Sequence, residues 1–283
     1  VAEVLSRERA SADDVKSPAD CAELLRRFMT PIRRGHLAAV SLVTNTGEVA
    51  NIGAVIGAAI KKHPTVTTRR LSSHTSYIEV PSFSGDVGQQ LARIVEANQD
   101  GVRNARNLII DIRRNGGGAD SAFQPLLSLL GPATYRTPNA QMLVTSANIA
   151  AWEALIPEIA PYPDVEKKLN ELIARMKTAG TGWVPMADQQ IEESRYDLGK
   201  VKATPERVVL LIGQDCASSC EEFVITARQN PRVTLMGRKT FGALDASNCR
   251  LAPAPSGNIA VFYATTFVRR PAGQQIDEIG IAP

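Results

Sequence analysis

Apolar and polar positions fall into helix-like, strand-like and turn-like stretches along most of the chain. Ser17-Pro18-Ala19-Asp20 reads as a helix start, with proline in the first turn. Ala22, Leu24, Leu25 and Phe28 follow at roughly helical spacing until Pro31 stops the run. Residues 37–43 are strand-like, and Asn45-Thr46-Gly47 reads as a turn. A short strand is predicted over 77–81. An amphipathic helix is predicted from Val87 to Glu96, with Val87, Leu91, Ile94 and Val95 on one face. Residues 107–112 and 208–212 are apolar without alternation, the pattern of strands buried on both faces. The first leads through a glycine run into an apolar helix over about 121–130. The second leads through 213–219 into a helix over 221–229, ended by Pro231. Strands over 233–236 and 259–267 complete the pattern, which is that of an α/β sheet core.

The stretch from about 132 to 205 breaks this rhythm. It holds Trp152, Trp183, several prolines and a charged helical segment over about 164–176. It reads as a helical insertion, either a cover for a site or a surface elaboration. The predicted organisation is an N-terminal helical cap and strand segment over 1–75, then an α/β core over 76–283 carrying that insertion. No internal repeat and no Gly/Ser linker is visible.

Composition narrows the function classes. The 283 residues are 44% hydrophobic and 22% charged, ordinary globular usage, and the net charge is +3. With no long block of one sign, a nucleic-acid or membrane-surface role is not expected. The longest apolar stretch, 52–60, contains two glycines and is too short to span a bilayer. No signal peptide is visible in a chain that starts at Val1. Of the four cysteines, Cys216 and Cys220 are four apart with no second close pair, so a structural zinc site is poorly supported. The even count permits two disulfides without demanding them, and buried free thiols are the plainer reading.

Four features could carry chemistry. Cys216-Ala217-Ser218-Ser219-Cys220-Glu221 sits where a buried strand turns into a helix, which suits a nucleophile: the helix N-terminus offers free N–H groups and positive potential to an oxyanion. Ser218 and Glu221 also have the spacing of a capping box, which needs no function. Asn115-Gly116-Gly117-Gly118 could bring backbone N–H groups close to a ligand, or form a simple tight turn; it has neither the Lys-Ser/Thr of a P-loop nor a dinucleotide-binding spacing. His36, His63 and His74 are the only histidines, so any Ser–His mechanism must use one of them. Asp277 and Glu278, before a C-terminal Gly-Ile-Ala-Pro, could orient a histidine or be solvated turn residues.

Taken in order, S-Y-I-E-V-P-S-F, D-I-R-R-N-G-G-G, C-A-S-S-C-E-E-F, G-R-K-T-F-G and I-D-E-I-G-I-A-P resemble the tail-specific (C-terminal processing) serine protease family over about 76–283. The resemblance implies a crotonase/ClpP-like ββα core and peptide-bond hydrolysis. It places the nucleophile on Ser218 and the oxyanion donors on Ser219 N–H and on Gly116 or Gly117 N–H. The Ser–Lys branch of the family carries its lysine just after the Phe-Gly pair, where this chain has Ala243. The other branch, similar to the tricorn core protease, uses an early histidine as base and a late carboxylate to orient it. That implies His36 and Asp277, with Glu278, Lys239 and His74 as alternative base or orienter. The family often carries a PDZ domain, but only about 40 residues separate His36 from Tyr77, too few for one.

The implied partner is a peptide or protein substrate, with no metal or cofactor, no nucleic acid and no transmembrane segment; a homo-oligomer stays open. A Cys216–Cys220 disulfide would stiffen the nucleophile turn and favour a periplasmic or secreted protein. The competing reading is a catalytically inactive peptide- or hydrophobic-ligand-binding module on the same fold, like the retinoid-binding repeats that share this core.

Overall fold

The computed structural model describes residues 6–9, 11–33, 35–43, 64–131, 133–187, 191–196 and 205–283. The expected turn at 45–47, the apolar run 52–60 and His63 lie outside them. In chain order the elements begin with helix α1 (Pro18–Met29), strands β1 (Leu37–Ser41), β2 (Thr67–Arg70) and β3 (Thr75–Glu79), helix α2 (Val87–Glu96), strand β4 (Asn107–Asp111) and helix α3 (Asp120–Leu127). Strands β5 (Ala133–Pro138) and β6 (Gln141–Val144) follow, then helices α4 (Ser146–Glu153), α5 (Ile156–Ile159) and α6 (Pro163–Ala179), and strands β7 (Gly182–Pro185) and β8 (Ile191–Tyr196). The chain closes with strand β9 (Arg207–Ile212), helix α7 (Ser219–Ala227), and strands β10 (Val233–Gly237), β11 (Ala246–Pro253) and β12 (Ile259–Phe267).

Contacts group the chain into two compact units. One comprises Gly57–Thr137, Ile191–Leu244 and Ile276–Pro283; the other comprises Val1–Ile56, Pro138–Gln190 and Asp245–Gln275. They interleave in sequence, where the sequence analysis cuts the chain once near residue 75. Long-range pairing, not chain continuity, sets their membership.

The first unit is built on a sheet of order β10-β9-β4-β3-β2, parallel except for the edge strand β2. The unalternated apolar runs became its two central strands. Their burial is uneven: Leu108, Ile110, Val208, Leu210 and Ile212 are fully buried, while Ile109, Val209 and Leu211 on the opposite face are half-buried. The fully buried face packs with Val87 and Leu91 of α2, Leu126 of α3, and Phe223 and Val224 of α7. Phe83, Phe123 and Phe223 close this core, with ring centroids 5.4 to 5.8 Å apart. Because β4 and β9 are parallel neighbours, the loops after them emerge side by side. One is the glycine run and the other carries Ser218, the arrangement expected of ligand sites at the carboxyl ends of parallel strands.

The second unit holds a sheet in which β12 pairs with β1, β11 and β6, and β6 with β7, all antiparallel. The α6 stripe Leu169, Leu172, Ile173 and Met176 covers Met142, Val144 and Val184 of β6 and β7, together with Trp152 of α4. The 132–205 stretch therefore contributes strands β5 to β8 as well as helices. A four-residue strand such as β6 buries only Met142 and Val144, too short a pattern for periodicity to show. Helix α1 starts as expected, with the Ser17 hydroxyl accepting from Asp20 N–H at 3.1 Å. Among the described residues, no helix is long and apolar enough to cross a membrane.

Leu210 lies in β9 with no exposed surface. Leu210→Ala is expected to lower stability by about 2–5 kcal/mol, measured by urea unfolding; a loss under 1 kcal/mol would contradict the central position of β9.

Candidate active site

The glycine turn after β4 is held by Asn115. This fully buried side chain donates Nδ2–H to the Val80 carbonyl (3.2 Å) and accepts from Gly117 N–H (2.9 Å). The Asn115 carbonyl accepts from Ala217 N–H at 3.3 Å, tying this turn to the next. Gly117 has φ +99°, and a Cβ there would stand 2.7 Å from the Ala217 oxygen and 2.9 Å from Ser218 Cβ. Only glycine allows that approach. Gly117 N–H is already paired with Asn115. Gly116 N–H has no hydrogen-bond acceptor among the described residues, and a Cβ at Gly116 would meet nothing within 4 Å.

Ser218 opens helix α7 at φ 57°, ψ −126°. A non-glycine residue held there is strained by roughly 1–3 kcal/mol. Its N–H donates to the Ala243 carbonyl at 3.0 Å and to Glu221 Oε2 at 3.3 Å, the backward arm of the capping-box pair. Ser219 N–H begins the helix, and Ser219 Oγ donates to the Gly118 carbonyl at 2.9 Å. Cys216 and Cys220, both fully buried, are joined by a disulfide that brackets the turn. The plainer reading of buried thiols is thus corrected for this pair; Cys21 and Cys249 are free.

Glu221 ties the surroundings together. Its buried carboxylate accepts from Thr240 Oγ1 (2.6 Å), Gly242 N–H (2.8 Å) and Ala243 N–H (2.8 Å) as well as from Ser218. Burial pushes its carboxyl above the ordinary value, against the pull of these donors. The Thr240-Phe241-Gly242 turn in turn holds the C-terminal loop. Thr240 exchanges bonds with Ile281, and Glu278 N–H donates to the Gly242 carbonyl at 2.8 Å. Asp277 Oδ1 accepts from Leu244 N–H at 2.6 Å. One candidate carboxylate group and the serine turn are therefore anchored to the same short segment, 240–244.

His36 belongs to the other unit, just before β1. Its Nδ1 lies 2.5 Å from the Ala246 carbonyl. A carbonyl only accepts, so Nδ1 carries the proton and the neutral ring keeps its lone pair on Nε2. Burial, with the nearby Arg33 charge, holds its pKa below the ordinary 6.5, against the Ala246 bond. The segment that supplies this carbonyl is itself pinned: Asp245 accepts from Arg270 at 2.5 Å in a buried ion pair, and its carbonyl accepts from Val268 N–H.

The structure brings Ser218, Ser219, Gly116 and Gly117 together, with Asp277 and Glu278 in the same unit. It does not bring His74 to them. His74 precedes β3, whose Thr75 pairs with Asn107, while the glycine turn follows the far end of β4. Five strand residues separate the two ends, about 16 Å. Lys239 is exposed, and Ala243, where the Ser–Lys branch has its lysine, contacts Ser218 with its carbonyl. Sequence reasoning missed the Ala246 carbonyl and the Asp245–Arg270 pair, since a main-chain acceptor and a pairing across 25 residues leave no local pattern. Glu221 was visible, but as a helix cap alone. Among the described residues, no group of three or more His, Cys, Asp or Glu side chains could hold a metal ion.

A strained serine at a helix head beside a glycine turn, on a mixed α/β sheet, defines the chemistry of a serine hydrolase. Residues 74–283 match the sequence profile of peptidase family S41, and the chain belongs to that family; it is a serine peptidase. No curated protein sequence matches it. Among solved structures it is similar to a candidate peptidase from Parabacteroides merdae ATCC 43184, with a TM-score of 0.55 and 17% identity over 99% of this chain and 79% of that one. Mature CPAF complexed with lactacystin gives 0.53 and 16% over 87% of this chain and 49% of CPAF, so the chain spans about half of that protein. A lipoprotein from Streptococcus agalactiae gives 0.53 and 13% over 99% and 81%. At such identities the likeness is one of fold.

The disulfide assignment predicts a thiol count. Denatured protein without reductant should titrate two thiols, Cys21 and Cys249, and four after reduction. Four in both cases would remove the bridge.

Proposed function

We propose that the chain is an endopeptidase that works through an acyl-enzyme, with Ser218 as nucleophile and His36 as its base. The observation that carries the reading is the conformation of Ser218, held at positive φ where α7 begins and against Gly117. Nε2 of His36 takes the proton from Ser218 Oγ as the oxygen attacks a substrate carbonyl, then gives it to the departing amine. The Ser219 and Gly116 N–H groups receive the oxyanion; losing one such donor typically slows catalysis by about 100- to 1000-fold. Water then deacylates the serine.

Asp277 enters this reading as a positioning residue. It holds Leu244 N–H, and two residues on the Ala246 carbonyl holds His36 Nδ1. The substrate class is a peptide or protein. The disulfide supports an oxidising compartment, periplasmic or extracellular.

Labelling with a fluorophosphonate, read by intact mass, tests the pair. Wild type should gain one adduct on Ser218. Ser218→Ala should gain none, and His36→Ala should label at least about 100-fold more slowly. Labelling of His36→Ala at the wild-type rate would remove His36 as base. The pH profile gives a second check. A depressed pKa keeps His36 neutral to lower pH, so the acid limb of kcat/KM should have its midpoint below 6.5. A midpoint above that value would contradict the burial of the ring.

A further inference from the structure

In the first unit, the carboxyl ends of β3, β4, β9 and β10 open onto a cavity of about 740 Å3. Its strand residues Tyr77, Glu79 and Asp111 share the register of Ile109, on the sheet face opposite the packed helices. Two lining glycines carry no side chain because none would fit. A Cβ at Gly213 would stand 2.9 Å from the Arg113 carbonyl oxygen, and one at Gly237 would collide with that of Ile212. The floor carries no net charge: buried Asp111 accepts from Tyr77 Oη at 2.6 Å and from Arg113 Nη2 at 2.6 Å. Four charges remain around it. Glu79 ends β3, Arg114 follows β4, Asp215 follows β9 and Arg238 follows β10. Among the described residues, none of these four side chains makes a hydrogen bond or an ion pair. Their signs alternate along the row of strands, so the cavity has separate negative and positive poles.

We propose that this cavity binds a short peptide with free ends, its ammonium at Glu79 and its carboxylate at Arg238. A simple anion would meet the charges of Glu79 and Asp215, and a simple cation those of Arg114 and Arg238. A zwitterion satisfies both poles. The sheet order puts three strand spacings, about 14 Å, between β3 and β10. About four extended residues cover that distance, at roughly 3.3–3.6 Å each. Between the ends, peptide carbonyls accept from Arg114 and peptide N–H groups donate to Asp215. A guanidinium grips a carboxylate with two parallel bonds, which suits Arg238 to the carboxyl end. Short peptides of this kind are the product class of a serine peptidase. A bound one bridges the roots of the loops that run on to Asn115, to Ser218 and to the 240–244 segment, all in the same unit. The site itself depends on neither Ser218 nor His36.

Calorimetric titration with tetra-alanine tests this on the protein carrying Ser218→Ala, which cannot turn the peptide over. Acetylating the amino end or amidating the carboxyl end should each weaken binding by about 10-fold. Dialanine, too short to reach both poles, should also bind about 10-fold more weakly. Glu79→Gln should erase the difference between free and acetylated peptide, and Arg238→Gln that between free and amidated peptide. Neither side chain holds a partner among the described residues, so neither change disturbs the fold. Tetra-alanine that does not bind, or binds equally well with blocked ends, would overturn the site. So would an end preference that survives both variants, which is what a peptide lodged elsewhere would show. Each of these failures leaves the serine mechanism standing.

Discussion

The buried carboxylate of Glu221 is the interaction on which the serine site depends. It lies one helical turn after Ser218 and takes donors from the serine turn and from the 240–243 segment at once. That segment in turn grips the C-terminal loop that carries Asp277. Two oxygen atoms thus register the serine turn against the 240–243 segment, and through that segment the C-terminal loop. Replacing the acceptor would leave several buried donors unsatisfied, each at about 1–3 kcal/mol. In an isolated helix the same glutamate would be a cap; in this fold it is a joint.

The serine turn shows how strain is maintained. Positive φ at Ser218 persists because its neighbours over-determine it. The disulfide closes the turn from both sides, Ala217 is bonded to Asn115, and Ser218 N–H is engaged by Ala243 and Glu221. Gly117 completes the constraint by lying where any side chain would collide with the serine. Such over-determination keeps Ser218 from relaxing into an ordinary helix-cap conformation. The two glycines differ in what their N–H groups meet. The one pressed against the serine spends its N–H on Asn115, and the more open Gly116 keeps its donor.

His36 has a different logic. Its tautomer follows from a main-chain carbonyl rather than a carboxylate, and the residues around that carbonyl are fastened by an ion pair, Asp245–Arg270, almost wholly shielded from water. Buried pairs of this kind confer position more reliably than stability. Asp277, the carboxylate that the family resemblance assigns to the histidine, accepts from Leu244 N–H, two residues upstream of that carbonyl.

Much of this protein was legible in its sequence. Helix α2 has the bounds its apolar face predicts, strand β12 likewise, and the unalternated runs became the central strands β4 and β9. Local periodicity encodes such elements because each buries enough apolar side chains to write a pattern. The glycine turn and the serine turn were visible as chemistry for the same reason: backbone conformations that few residues tolerate demand particular residue types. What tertiary structure alone decided were matters of pairing. Strands β2, β6, β7 and β11 exist because a neighbour accepts their hydrogen bonds, and their short or mixed sequences carry no period of their own. The grouping of residues 138–190 and 245–275 with the N-terminal region and the Ala246 carbonyl on His36 arise likewise from contacts between distant segments. A sequence records which side chains must be buried and which turns must be tight; which strand lies beside which is settled only when the whole sheet competes for its hydrogen bonds.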